Sequence, residues 1–191
     1  RLPGVNISST SQQGTSQGIR VRGLRPNDTQ FRIDGVRFTR RLGNLDSFAG
    51  QLSSTGLSRI ELLKGSQSAL YGSSANGGVV NLLTQSGGEV SKNRLSLEAG
   101  SFNSFSLETE NGGSLGKLSY YLSNRLSTTD NDTYGGNSEG DAYDNDFTSI
   151  QSALRLGYNI KKGLSVGLTF RGQQGTVETP QFGGSRVKNN F

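Results

Sequence analysis

Residues 117–128 read KLSYYLSNRLST. Leu118, Tyr120, Leu122 and Leu126 fall on one side of an extended chain, and Ser119, Tyr121, Ser123, Arg125 and Ser127 on the other. This is the period-two alternation of a strand with one apolar and one polar face. The same texture continues downstream. Ile150, Leu154, Leu156, Tyr158 and Ile160 oppose Gln151, Ala153, Arg155, Gly157 and Asn159, and Leu164, Val166, Leu168 and Phe170 oppose Ser165, Gly167, Thr169 and Arg171. The strand candidates are Arg94–Gly100, Phe102–Asn111, Lys117–Thr128, Phe147–Asn159 and Leu164–Gln174. Segments of about ten residues suit a transmembrane barrel with an apolar outside and a polar lumen; the competing solution is an antiparallel sandwich with one face packed on a second sheet. Arg125, Arg155 and Arg171 in mid-strand favour the barrel. So do the connections, which alternate between about four residues (Gly112 to Gly116, Lys161 to Gly163) and about 18, as expected for short turns on one rim and long loops on the other. About five strands do not close a barrel of at least about eight, so a longer parent chain is expected.

Upstream of Gly87-Gly88 the texture changes. Ile19–Arg22 and Phe31–Asp34 alternate on either side of Pro26-Asn27-Asp28 and read as a β-hairpin. Ile60–Leu63 reads as a strand ending at Gly65, Ser66 as the cap of a short helical turn over residues 67–70, and Val79–Leu83 as a final apolar strand. Residues 1–88 are therefore expected to form a small α+β domain, and residues 89–191 an antiparallel β-domain.

The chain of 191 residues contains no Cys and no His. That excludes disulfides, Cys/His zinc clusters and Ser–His–Asp or Cys–His catalysis. Gly116-Lys117 lacks the rest of a phosphate loop, with Asn111 where the first Gly belongs and Leu118 in place of Ser/Thr. Gly72-Ser73-Ser74 offers hydroxyls but no base to activate them. No enzyme is expected. The net charge of +5 arises in the first half, but its basic residues are scattered singly apart from Arg40-Arg41, which argues against nucleic acid.

Acidic residues crowd the long connection. Asp130, Asp132, Asp144 and Asp146 would converge if residues 129–146 form one loop between neighbouring strands. Clustered carboxylates repel unless screened, and hard oxygen ligands select Ca²⁺. The plainer alternative is a solvated acidic loop, and the spacing does not match an EF-hand.

VRGLRPNDTQFRIDGVRF (21–38) followed by IELLKGSQSALYGSSANGGVVNLLT (60–84) resembles the plug of TonB-dependent outer-membrane receptors, and RLPGVNIS (1–8) resembles the middle of that plug. The resemblance implies most of a plug in residues 1–88, with its N-terminal part missing, followed by the first strands of a barrel of about 22 strands. Within the family, the plug motifs and the DND-containing loop look most like the cobalamin receptors. In those receptors loop aspartates bind Ca²⁺; Asp144 and Asp146 match best, Asp130 or Asp132 an earlier ligand, and Glu178 a later one. No covalent cofactor is implied.

The implied function is active import of a scarce metal chelate, cobalamin or a siderophore, across the bacterial outer membrane. The implied partners are TonB (through a segment absent from this sequence), the chelate and outer-membrane lipid. The alternative is a non-transporting outer-membrane β-protein, an adhesin or the surface component of a nutrient-uptake complex. By the same resemblance Arg22 and Lys64 match plug cations that pair with barrel-wall carboxylates. Lys64, Ser66 and Arg32 stand where the family usually has Arg, Pro and an apolar residue. If the Pro26–Asp28 turn of the expected hairpin points to the periplasm, Gln12–Gln17 and Phe38–Phe48 point outward. Gln13, Gln17, Arg40, Arg41, Asn44 and Asp46 are then the candidate substrate contacts.

Overall fold

The computed structural model describes residues 3–9, 17–38, 54–88, 91–131, 145–180 and 186–190. The chain divides into two compact units, Arg1–Gln85 and Ser86–Phe191.

In the first unit, β1 (Val5–Ser9) and β2 (Gln17–Val21) form an antiparallel pair with Ile7 opposite Ile19. A 3-10 turn, Pro26–Asp28, leads into β3 (Thr29–Ile33), then β4 (Val36–Arg37), β5 (Leu57–Lys64), the single helical turn α1 (Ser68–Tyr71) and β6 (Gly78–Thr84). These strands make a sheet of order β4-β3-β6-β5, with β3 and β6 parallel. Phe31, Val80 and Leu82 form the core, with Ile19, Ile33, Phe38, Leu57 and Leu62 packed against them. Each such side chain contributes about 1.5–3 kcal/mol by leaving water. Gly78 sits at φ +154°, where an added Cβ would strike the carbonyl oxygen of Leu63; the missing side chain lets β5 and β6 pair there.

The expected hairpin of residues 19–22 with 31–34 does not form. β2 pairs with β1, while β3 pairs with β4 and, in parallel, with β6. Pro26 begins a 3-10 turn in which the Arg25 N–H donates to Asp28 Oδ2 at 3.2 Å, and this carries the chain away from β2. β6 is almost wholly buried, so it flanks β3 with more apolar surface than β2 offers. The hairpin instead closes at Asp34-Gly35, with φ of +49° and +80°, the left-handed pair required by a tight turn between right-twisted strands. Asp34 fixes it by accepting from the Thr84 N–H at 2.8 Å and the Thr84 hydroxyl at 2.6 Å. Ser66 is not a cap either. The residue preceding α1 is Gln67, and the Ser66 hydroxyl lies 3.3 Å from that of Ser68.

The second unit is an antiparallel meander of β7 (Lys92–Gly100), β8 (Ser104–Leu115), β9 (Leu118–Asn131), β10 (Asn145–Lys161), β11 (Leu164–Pro180) and β12 (Arg186–Asn190), in sequence order across one sheet. Five strands were expected; β12 is a sixth, too short and polar to show an alternation. Gly116-Lys117 and Lys162-Gly163 make two-residue turns. Across β9, β10 and β11 the register aligns Leu122, Leu154 and Phe170 on one face and Arg125, Gln151 and Gln173 on the other.

Burial then runs opposite to that of a water-soluble sheet. Val166, Leu168, Phe170 and Ile150 are 56–60% exposed, whereas Ser123, Ser127, Ser149 and Glu110 are at most 8% exposed. An apolar face turned outward is stable against hydrocarbon and not against water. Among the described residues no helix is long and apolar enough to cross a membrane.

Candidate functional site

The polar face of β7–β9 carries a ladder of ion pairs. Glu110 accepts from the Tyr121 hydroxyl at 2.7 Å and pairs with Lys92 at 3.2 Å and Arg94 at 3.9 Å. Arg125 donates to Glu108 at 3.0 Å and reaches Glu98 at 3.7 Å. Next to these, the Ser127 and Ser149 hydroxyls lie 2.9 Å apart. The strand alternation singled out Arg125 alone. Its partners are found only once the register sets Glu108 opposite Arg125 and Arg94 opposite Glu110.

In the first unit, Arg22 and Lys64 come together. Arg22 adopts φ +56° and its N–H donates to the Gly4 carbonyl at 2.7 Å. Its guanidinium lies over Gly65, where an added Cβ would be 3.1 Å from Nη1. Lys64 Nζ donates to the Pro3 carbonyl at 2.8 Å. Both side chains are exposed, and among the described residues neither meets a carboxylate. Arg32 is held on the sheet face opposite Phe31, with its guanidinium 5.0 Å from the Tyr71 ring and donating to Gln30 Oε1 at 3.0 Å and to the Gly35 carbonyl. The Arg32 charge is therefore held on a half-buried face by a ring, a carboxamide and a carbonyl. Ser74 accepts from Gln30 Nε2 at 3.1 Å, a structural role for a hydroxyl that has no base beside it.

Of the acidic residues, Asp130 and Asp146 stand directly opposite each other across β9 and β10. Asp130 accepts from Asn103 Nδ2 at 3.0 Å, and its N–H donates to the Phe102 carbonyl at 2.9 Å. Asp132 and Asp144 lie outside the described residues, as does the side chain of Glu178, whose backbone pairs with Lys188. Among the described residues no three potential metal ligands gather.

Gln13, Arg40, Arg41, Asn44 and Asp46 also lie outside the described residues; Gln17 opens β2 opposite Ser9, its side chain undescribed. The topology nevertheless corrects the argument that selected them. β4 runs antiparallel to β3, so the chain leaves β4 at Phe38 heading towards the end where β3 begins. That is the end of the Pro26–Asp28 turn. The turn and the segment starting at Phe38 therefore share one end of the sheet, where a β2–β3 hairpin would have set them apart.

Residues 1–79 match the family model of the TonB-dependent receptor plug domain. The chain is 37% identical over 101 residues to the vitamin B12 transporter BtuB of Vibrio vulnificus, covering 53% of this chain and 16% of that protein. It is 31% identical over 155 residues to the ferric enterobactin receptor of Pseudomonas aeruginosa, covering 70% of this chain and 20% of that protein. It thus spans no more than about a fifth of the length of these relatives. Among solved structures, the ferric yersiniabactin uptake receptor FyuA of Yersinia pestis superposes with a TM-score of 0.68 at 23% identity, covering 94% of this chain and 28% of that one. A pyoverdine-bound FpvA of Pseudomonas aeruginosa gives 0.73 at 19%, covering 92% and 24%. These superpositions carry the fold. The named relatives are transporters and receptors, not enzymes.

Proposed function

We propose, from the premise that this chain belongs to the TonB-dependent receptors of the bacterial outer membrane, that it supplies a plug and the first wall strands of an importer for a scarce metal chelate, cobalamin or a ferric siderophore. The observation that carries this reading is the outward apolar face of β7–β11 following a plug fold in the same chain. A lumen lined by Glu98, Glu108, Glu110 and Arg125 suits a polar cargo, and TonB acting on the plug would open the path. Arg22 and Lys64 then serve as plug cations for wall carboxylates, since a charge enclosed without a partner is costly.

For the substrate face we propose Gln13, Gln17, Arg40, Arg41, Asn44 and Asp46, because guanidinium forks bind anionic or phosphate oxygens bidentately. With Phe38 at the same end of the sheet as the Pro26–Asp28 turn, that turn joins the proposed face of Arg40, Arg41, Asn44 and Asp46, while Gln17 opens β2 at the end away from the turn and, with Gln13, is a separate candidate contact. In this arrangement Gly116-Lys117 and Lys162-Gly163 are periplasmic, and residues 132–144 face outside. Cysteine labelling of intact cells should then mark Asn137→Cys and spare Lys162→Cys; the reverse pattern would invert the reading.

Asp130 and Asp146, opposed like charges, suit a hard dication. With Asp132, Asp144 and Glu178 they would hold Ca²⁺ and order the loop. Calorimetric titration with Ca²⁺ should show binding that D130N/D146N abolishes. The import reading itself is tested by expressing the complete gene in receptor-deficient cells. Growth on limiting cobalamin or a ferric chelate, lost in a TonB-deficient background, is expected. No growth on either nutrient would leave the non-transporting alternative, and TonB-independent growth would replace active import by passive passage.

A further inference from the structure

The apolar face of the wall is charged at both ends, and the two ends differ in sign. At the loop rim Asp130 stands opposite Asp146. At the turn rim the two-residue turns carry Lys117 and Lys162, and Lys161 ends β10 beside them. Residues 111–129 and 147–177, which make up these turns and the strands flanking them, contain no Asp or Glu.

Register brings the three lysines together. The Lys117 carbonyl accepts from the Asn159 N–H at 2.9 Å, and its Nζ donates to the Ile160 carbonyl at 3.2 Å. An ammonium has three N–H donors, so this bond leaves two. Lys161 comes to the lipid side through an irregularity. The β10–β11 pairing is regular as far as Asn159 opposite Ser165, on the lumen side, and then shifts so that Lys161 stands opposite Leu164. Strict alternation would return Lys161 to the lumen; the bulge at Ile160 gives it to the outward face of Leu164 instead. All three lysines are exposed, and among the described residues none pairs with a carboxylate. Leu115, Tyr158, Ile160 and Leu164 are exposed beside them. A tyrosine at the border of an apolar band suits a membrane interface, and lysines there lay their stems on apolar surface with the ammonium at headgroup level.

Three like charges gathered at one corner of a sheet repel one another, and an anionic headgroup converts that repulsion into attraction. We infer that the turn rim of β8–β11 is a docking site for an anionic phospholipid. Lys117, Lys161 and Lys162 hold its phosphate oxygens, and its acyl chains lie along Leu115, Ile160 and Leu164. The inference does not depend on import; it rests on the apolar face being turned to lipid.

The test titrates the complete receptor in neutral detergent with phosphatidylglycerol and, separately, with phosphatidylcholine of the same acyl chains, bound lipid being counted by native mass spectrometry. The wild type should bind phosphatidylglycerol more tightly. Replacing all three lysines, K117Q/K161Q/K162Q, should weaken that binding about a hundredfold, or about fivefold for each lysine, and leave phosphatidylcholine unchanged. K117R/K161R/K162R should keep the preference. K161Q/K162Q preserves the bond from Lys117 to Ile160 and should lose about 25-fold, which serves if the triple variant misfolds. No preference in the wild type, an unchanged preference in K161Q/K162Q, or an equal loss for both lipids would each overturn the inference. Tighter binding of lipopolysaccharide than of phosphatidylglycerol through these lysines would set this rim in the other leaflet and overturn it as well.

Discussion

Both units of this chain are built from alternating strands, yet they spend their apolar residues in opposite directions. In the plug unit Phe31, Val80 and Leu82 are at most 6% exposed, buried between elements as in any water-soluble domain. In the wall unit Val166, Leu168 and Phe170 stand outward while serines and a glutamate are enclosed. The residue types and the period are the same; the solvent facing each surface differs. An alternating strand specifies that one face is apolar, and only the polar face, by carrying ions able to satisfy one another, reveals which way the apolar face turns.

The largest effect should come from the plug core. Phe31→Ala should cost about 3–5 kcal/mol, seen as faster amide hydrogen exchange across β3 and β6 in the full receptor. Unchanged exchange there would mean that this core does not hold the plug together, and the comparison would lose one side. Second comes Leu168→Arg on the outward face, expected to cost about 2–4 kcal/mol in urea unfolding from a bilayer. Its neighbour Thr169→Arg, on the lumen face, should be tolerated. If Thr169→Arg proved the more costly, the wall would be facing the other way.

These contrasts rest on what alternation reveals, and other parts of the structure have no such signal. The faces of β9, β10 and β11 were legible because Ser119, Ser123, Arg155 and Arg171 interrupt the apolar residues at every second position. The β3–β6 pairing was not, because Phe31 meets Val80 from 49 positions away in sequence and no local pattern announces a parallel partner. Pro26-Asn27-Asp28 reads as a hairpin turn, yet the hairpin closes at Asp34-Gly35, where the left-handed backbone falls on an aspartate and a glycine and where the Asp34 carboxylate is held by Thr84 from a distant strand. The ion ladder was invisible for a related reason: Lys92, Arg94 and Glu110 become neighbours through register.

A smaller effect sharpens the wall side. Tyr121→Phe removes the hydroxyl that donates to the buried Glu110 carboxylate and should cost about 1–3 kcal/mol. Tyr120→Phe, on the opposite face, should be near neutral in the same unfolding assay; equal costs would deny the enclosed lumen face any special place. The smallest effect belongs to the plug turn. Gly35→Ala meets no atom within 4 Å of its new Cβ, so only the positive φ is strained, at about 1 kcal/mol. Gly35→Asn should cost less than Gly35→Ala in thermal unfolding of the receptor, and the opposite order would point to an undetected contact.

Among the described residues the sheet is a meander from β7 to β12 with one apolar face, and this matters before the protein ever reaches lipid. A sheet edge that is still unpaired while the wall assembles, bordering a surface of leucine, valine and phenylalanine, is a template for intermolecular pairing in water. A newly exported chain that assembled this sheet in the aqueous periplasm would present sticky edges and a greasy face at once. Its safe itinerary is to stay unstructured in transit and to form the wall only where a bilayer covers the face and further strands close the edges. The inside-out alternation that suits the finished wall thus also dictates when, during biogenesis, the strands can afford to pair.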